Sequence, residues 1–162
     1  MKCKIVRINK LCGNGASIYS VAIDDDTKTL FDEFVEECSV SFKDETIDIL
    51  KRLKSIGNIT GARAQYFKMH EGVPGDGVCA LYDKPKSNLR LYCIRFGSQL
   101  LLVGSGGHKP KSIRALQEDD KLTEENYLLR AISLEVTRRI KEKDIQYTND
   151  DFDFIGELEF EI

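Results

Sequence analysis

The chain has 162 residues, 24 of them Lys or Arg and 27 Asp or Glu, for a formal charge of −3. That length suits a single domain, residues 1–162, burying a core without staples. No stretch is apolar enough to cross a bilayer, the start Met1-Lys2-Cys3-Lys4 lacks a signal peptide's apolar region, and five scattered cysteines with only two histidines argue against a disulfide framework or a His-rich metal site. The expectation is a cytoplasmic protein with reduced thiols and no membrane partner.

Cys3–Ile8 and Ser17–Ile23 alternate as strands do and flank the turn signal Gly13-Asn14-Gly15, which predicts a hairpin. Asp24-Asp25-Asp26 then precedes Leu30, Phe31, Phe34, Val35 and Cys38, one apolar stripe of a helix with acids at its N-terminus. A second helix follows. Ser41 and Asp44 have capping-box spacing, Ile47, Leu50 and Leu53 line one face, and Gly57 would supply a left-handed cap. Ala62–Met69 alternates loosely as a strand leading into the loop Gly72–Gly77, and Val78–Tyr82 is another short strand. After the turn Asp83–Asn88 come Leu89–Phe96 and Gln99–Val103, joined by Gly97-Ser98 as a two-residue hairpin of type II′. Gly104–Lys111 reads as a loop and Thr123–Lys143 as a long helix built on Leu128, Ile132, Val136 and Ile140.

Residues 144–162 hold seven acids and no base, and end in the alternating Leu158, Phe160 and Ile162. This tail would dock on a sheet edge near basic surface, complete the sheet beside the N-terminal hairpin, or stay solvated. The fold class expected is α+β: a small antiparallel sheet packed on two helices of the N-terminal half plus a long C-terminal helix, with an added N-terminal hairpin and an acidic tail.

Charge is distributed unevenly. From Lys84 to Arg114 stand Lys84, Lys86, Arg90, Arg95, Lys109, Lys111 and Arg114 with no acid, so +7 is gathered on 31 residues of a chain of charge −3. Such a patch focuses field where phosphates dock and points to a polyanion. A charge run is usually a solvated face, but this one lies in an apolar strand–turn–strand unit without alternating signs. Arg95 is an odd number of residues from Arg90, so a regular strand sends it to the opposite face.

The order helix, helix, meander, basic loop and helix, with Asn88-Leu89-Arg90-Leu91-Tyr92, Arg95–Val103 and Gly107-His108-Lys109-Pro110-Lys111, resembles the RelE/HigB/ParE superfamily of toxin–antitoxin toxins. The likeness covers about residues 24–143 loosely and 78–114 well. Arg90 matches the arginine early in the family's penultimate strand, and Lys109 the basic residue after a glycine beyond the last strand. The resemblance implies an endoribonuclease that cuts mRNA, usually on the ribosome, without metal or cofactor, and a cognate antitoxin that restrains it. In such a reaction the 2′-hydroxyl attacks the adjacent phosphate, which calls for a base, an acid and fixed cations. Arg90 would clamp the phosphate, Lys109 would be the second cation and His108 the titrating group. Lys84, Lys86, Lys111 and Arg114 would contact RNA, and Tyr92, on the strand face of Arg90, would stack a base. The late tyrosine or histidine of many family ribonucleases has no counterpart in Ser112-Ile113-Arg114-Ala115-Leu116. A second reading of the same fold therefore stays open: an inhibitor of DNA gyrase or a binding module, neither of which needs a base or an acid.

Overall fold

The computed structural model describes residues 1–110 and 119–162. Among the described residues the elements run β1 (Lys2–Arg7), β2 (Ser17–Ile23), α1 (Leu30–Ser41), α2 (Lys43–Ser55), β3 (Phe67–Lys68), β4 (Val78–Leu81), β5 (Leu89–Arg95), β6 (Leu100–His108), α3 (Asp120–Lys141), β7 (Ile145–Tyr147), β8 (Phe154–Gly156) and β9 (Glu159–Glu161). The fold is α+β, with a larger sheet than expected. Seven strands lie in the order β3-β4-β5-β6-β2-β1-β9, and β7 and β8 form a separate hairpin. The sheet is mixed rather than antiparallel, because β2 runs parallel to β6 in the register Ser17↔Leu100 to Tyr19↔Leu102. Parallel neighbours require a long connection, and here it contains α1, α2 and the β3–β5 strands.

Alternation along each strand feeds two cores. Tyr19, Val21, Ala80, Tyr92, Ile94 and Leu102 pack toward Leu129, Ile132 and Val136 of α3. Ile18, Cys79, Leu91, Cys93, Leu101 and Val103 pack toward Phe31 and Phe34 of α1 and Ile49 and Leu53 of α2. A sheet covered on both faces needs apolar side chains in both directions, which is why Leu100–Val103 is an unbroken apolar run.

Several local expectations change. The capping box belongs to α1, where the Thr29 hydroxyl accepts from Asp32 N–H and the Asp32 carboxylate accepts from Thr29 N–H. Ser41 ends α1, and α2 starts after Phe42 without a side-chain cap. The buried stripe of α2 is Thr46, Ile49 and Leu53, while Ile47 is exposed. Thr46 can be buried because its hydroxyl donates to the Phe42 carbonyl at 2.9 Å. Gly57 is not a cap: the chain continues through a π turn, Ile56–Thr60, and Gly61 at φ +77° ends it. Ala62–Met69 contributes a 3-10 turn, Ala64–Tyr66, and only the two-residue β3. The β5–β6 connection has four residues, Phe96–Gln99, and is closed by Phe96 N–H donating to Leu100 O at 2.9 Å. Pairing Phe96 there sets its ring 5.2 Å from that of Phe154.

The predicted loop from Gly104 is strand as far as His108. A Cβ added at Gly106 would lie 1.8 Å from the Arg90 carbonyl oxygen, so glycine lets β6 close on β5 where the register shifts between Leu91 and Cys93. Gly106→Ala is expected to cost about 1–3 kcal/mol through overpacking, read as a lower urea midpoint at unchanged slope.

The tail completes the sheet. β9 pairs antiparallel with β1, Phe160 is buried, and Glu159 and the Glu161 carboxylate face out to Lys4 and the N-terminal amine. β6, β2 and β1 separate it from β5. The reading in which it covers the basic surface is not the one realised. No helix among the described residues is long and apolar enough to cross a membrane.

Candidate functional site

The basic window begins one residue after its counter-ion. Asp83, just beyond β4, is 5 % exposed and receives three cations. Lys68 Nζ of β3 lies 2.7 Å from its Oδ1, Lys109 Nζ lies 2.6 Å from its Oδ2, and Arg90 Nη2 of β5 is a longer 3.5 Å from Oδ2. Three positive groups against one negative leave a local charge of +2 at this end of the sheet. Burial pushes the Asp83 carboxyl up, but Lys109, Lys68 and Arg90 outweigh it and hold the group below the ordinary aspartate range. For Arg90, burial acts against the charged form, and Asp83, Tyr92 and Glu71 together more than restore it.

The backbone around the cluster is tightly held. The Lys109 ammonium also donates to the Lys84 carbonyl at 2.7 Å, and Lys109 N–H donates to Asn88 O at 2.8 Å. Across the turn, the Glu45 carboxylate of α2 accepts from Asn88 N–H at 2.8 Å and from its side-chain amide at 2.7 Å. The turn Asp83–Asn88 is therefore pinned from both sides, and Lys84 and Lys86 project from it into solvent.

Arg90 and Lys109 come together as expected, on one carboxylate, but not on an exposed surface. Arg90 is 9 % exposed and Lys109 7 %. Tyr92 shares the α3 face with Arg90, as alternation requires, and is mostly buried in the core there. His108 does not join them. It pairs with Leu89 and stacks on Phe42 with ring centroids 5.1 Å apart, on the α1–α2 side of the sheet. Because residues 104–108 are strand, adjacent His108 and Gly107 face opposite sides, and Gly107 is the partner of Arg90. Arg95 takes the opposite face, where its Nε donates to Ala62 O at 2.7 Å and its guanidinium lies 5.9 Å from the centre of the Phe67 ring. Lys111 and Arg114 lie outside the described residues.

Two participants were missed in the sequence. Asp83 looks like an ordinary turn residue and falls just outside a window chosen for lacking acids. Lys68 is distant in sequence and reaches the site only because β3 pairs with β4 at Lys68↔Ala80. A strand reading of 104–108 was the available signal that His108 turns away from Arg90. Comparison with family models, curated proteins and solved structures gives no match.

Proposed function

We propose that the protein is the toxin of a toxin–antitoxin pair: a RelE/HigB-like, metal-independent endoribonuclease that cleaves mRNA in the cytoplasm in association with the ribosome, held in check by a cognate antitoxin. The observation that carries this reading is the convergence of Lys68, Arg90 and Lys109 on the single carboxylate of Asp83, with exposed Lys84 beside it. An RNA phosphate offers these cations a second acceptor. The Arg90 bond to Asp83 is the weakest of the three, so its planar fork is the group most readily shared with phosphate oxygens. As the 2′-hydroxyl attacks, charge builds on those oxygens. Cations already fixed by Asp83 then stabilise the transition state without having to reorganise.

The position of His108 favours a second reading, in which the same fold binds gyrase or another target without chemistry. Inducing the protein and mapping mRNA ends separates the two. Arg90→Ala and Lys109→Ala are each expected to lower cleavage about 10²–10³-fold, the range for removing one donor to a developing oxyanion. His108→Ala is expected to leave it near the wild-type level. Full cleavage by both cation variants ends the assignment. Growth arrest with relaxed DNA and no new mRNA ends establishes gyrase inhibition instead.

A further inference from the structure

β5 and α3 border a groove of about 390 Å³ on the α3 side of the sheet. Arg90 and Tyr92 line it from the sheet, and Thr123, Asn126, Tyr127 and Arg130 from the helix. Their spacing on α3 places them along one face. Two features of the groove have no structural use among the described residues. The Nε atoms of Arg90 and Arg130 are both buried without a hydrogen-bond partner, a state that costs free energy unless something accepts from them. Tyr127 is 59 % exposed, and the Arg130 guanidinium lies over its ring, 5.0 Å from the centroid. The helix side is rigid, because Asn126 and Arg130 both donate to the Glu71 carbonyl, at 2.8 and 3.2 Å.

We propose that this groove is a subsite for one nucleotide of single-stranded RNA, with the base stacked on the Tyr127–Arg130 pair and the neighbouring phosphate accepting from the guanidinium groups of Arg90 and Arg130 that border it. This rests on the ribonuclease reading and adds to it the residues that position the substrate. A tyrosine carrying a cation on its ring is a base-stacking platform tolerant of sequence, since every base has a π-face. Charge permits an anion here. Glu71 lines the groove, Asp83 lies at the far end of Arg90 and Asp119 acts on Tyr92, but Lys68, Arg90, Lys109 and Arg130 exceed these three acids by one. RNA is favoured over a free nucleotide because Arg90 belongs to both places. It touches Asp83 in the cation cluster and lines the groove, so a strand crossing one reaches the other.

The test is fluorescence anisotropy with the full-length protein and a short labelled single-stranded RNA whose 2′-hydroxyls are methylated, so that binding is read without cleavage. Tyr127→Ala is expected to weaken binding about tenfold or more, as loss of one stacked base does, and Tyr127→Phe to retain it. Arg130→Gln should weaken binding as well, with unchanged thermal unfolding in each variant. Wild-type affinity in both Tyr127→Ala and Arg130→Gln, or equal losses in Tyr127→Ala and Tyr127→Phe, overturns the subsite and leaves the ribonuclease reading standing. No binding by the unmodified protein overturns both.

Discussion

Removing residues 144–162 is expected to unfold the protein. The segment is acidic and terminal, which suggests a dispensable tail, yet it carries Ile145, Phe154 and Phe160 at 0, 4 and 4 % exposure. Phe154 alone meets Tyr19 at 5.4 Å, Phe96 at 5.2 Å and Tyr147 at 5.5 Å between ring centroids. Truncating a buried Phe costs about 3–5 kcal/mol and an Ile about 2–5 kcal/mol. The sum is comparable with the roughly 5–15 kcal/mol that holds a whole domain folded. Polar contacts are lost too: the Tyr19 hydroxyl donates to Asp153 at 2.8 Å, and Arg7 Nε donates to the same carboxylate at 3.0 Å. A chain ending at Lys143 should show no cooperative melt by circular dichroism. A cooperative transition near that of the full chain would instead make the tail an ornament.

Asp83→Ala should cost about 3–5 kcal/mol, the range for removing one partner from a buried ion pair, because it strands Arg90 and Lys109 without their counter-charge. The sign of the pH dependence follows from the lowered carboxyl pKa. Above the unfolded aspartate value of about 3.9 the stabilisation is fully present, and it fades as pH falls through the lower folded value. Wild type and variant should thus differ most near neutral pH and converge in strong acid, measured as urea midpoints across that range. The RNA-binding reading adds an opposite effect on function: freed cations bind RNA more tightly even as the fold weakens. Reduced stability with reduced RNA affinity would contradict that role for the cluster.

What could be read in the sequence was what is local. β1, β2, α1, β4, β5 and α3 follow from alternation and helical periodicity, and the odd spacing of Arg90 and Arg95 separates their faces. The end of β6 was hidden because Gly104, Gly106 and Gly107 carry no side chain with which to show alternation, although the emptiness of Gly106 is what lets β5 approach and that of Gly104 makes room for Leu129 of α3. The stripe of α2 was misplaced because Thr46 is polar in sequence and satisfied in the fold. The parallel seam joins residues on either side of two helices, a fact no periodicity carries. The site divides the same way. Arg90 and Lys109 could be brought together by following one strand out and the next back. Asp83 and Lys68 could not, since one was taken for a turn residue and the other comes from a strand two residues long.

The parallel pairing of β2 with β6 also has a consequence for the order in which contacts form. Its register couples Ser17 to Leu100, so this pairing waits on closure of a long loop, whereas the β4–β5 and β5–β6 hairpins close over short ones. Lys68, Asp83, Arg90 and Lys109 all belong to the locally paired half. The charged cluster can therefore assemble before the molecule is knit across its middle. What the late seam adds is the N-terminal hairpin, and with it the partner strand that β9 requires.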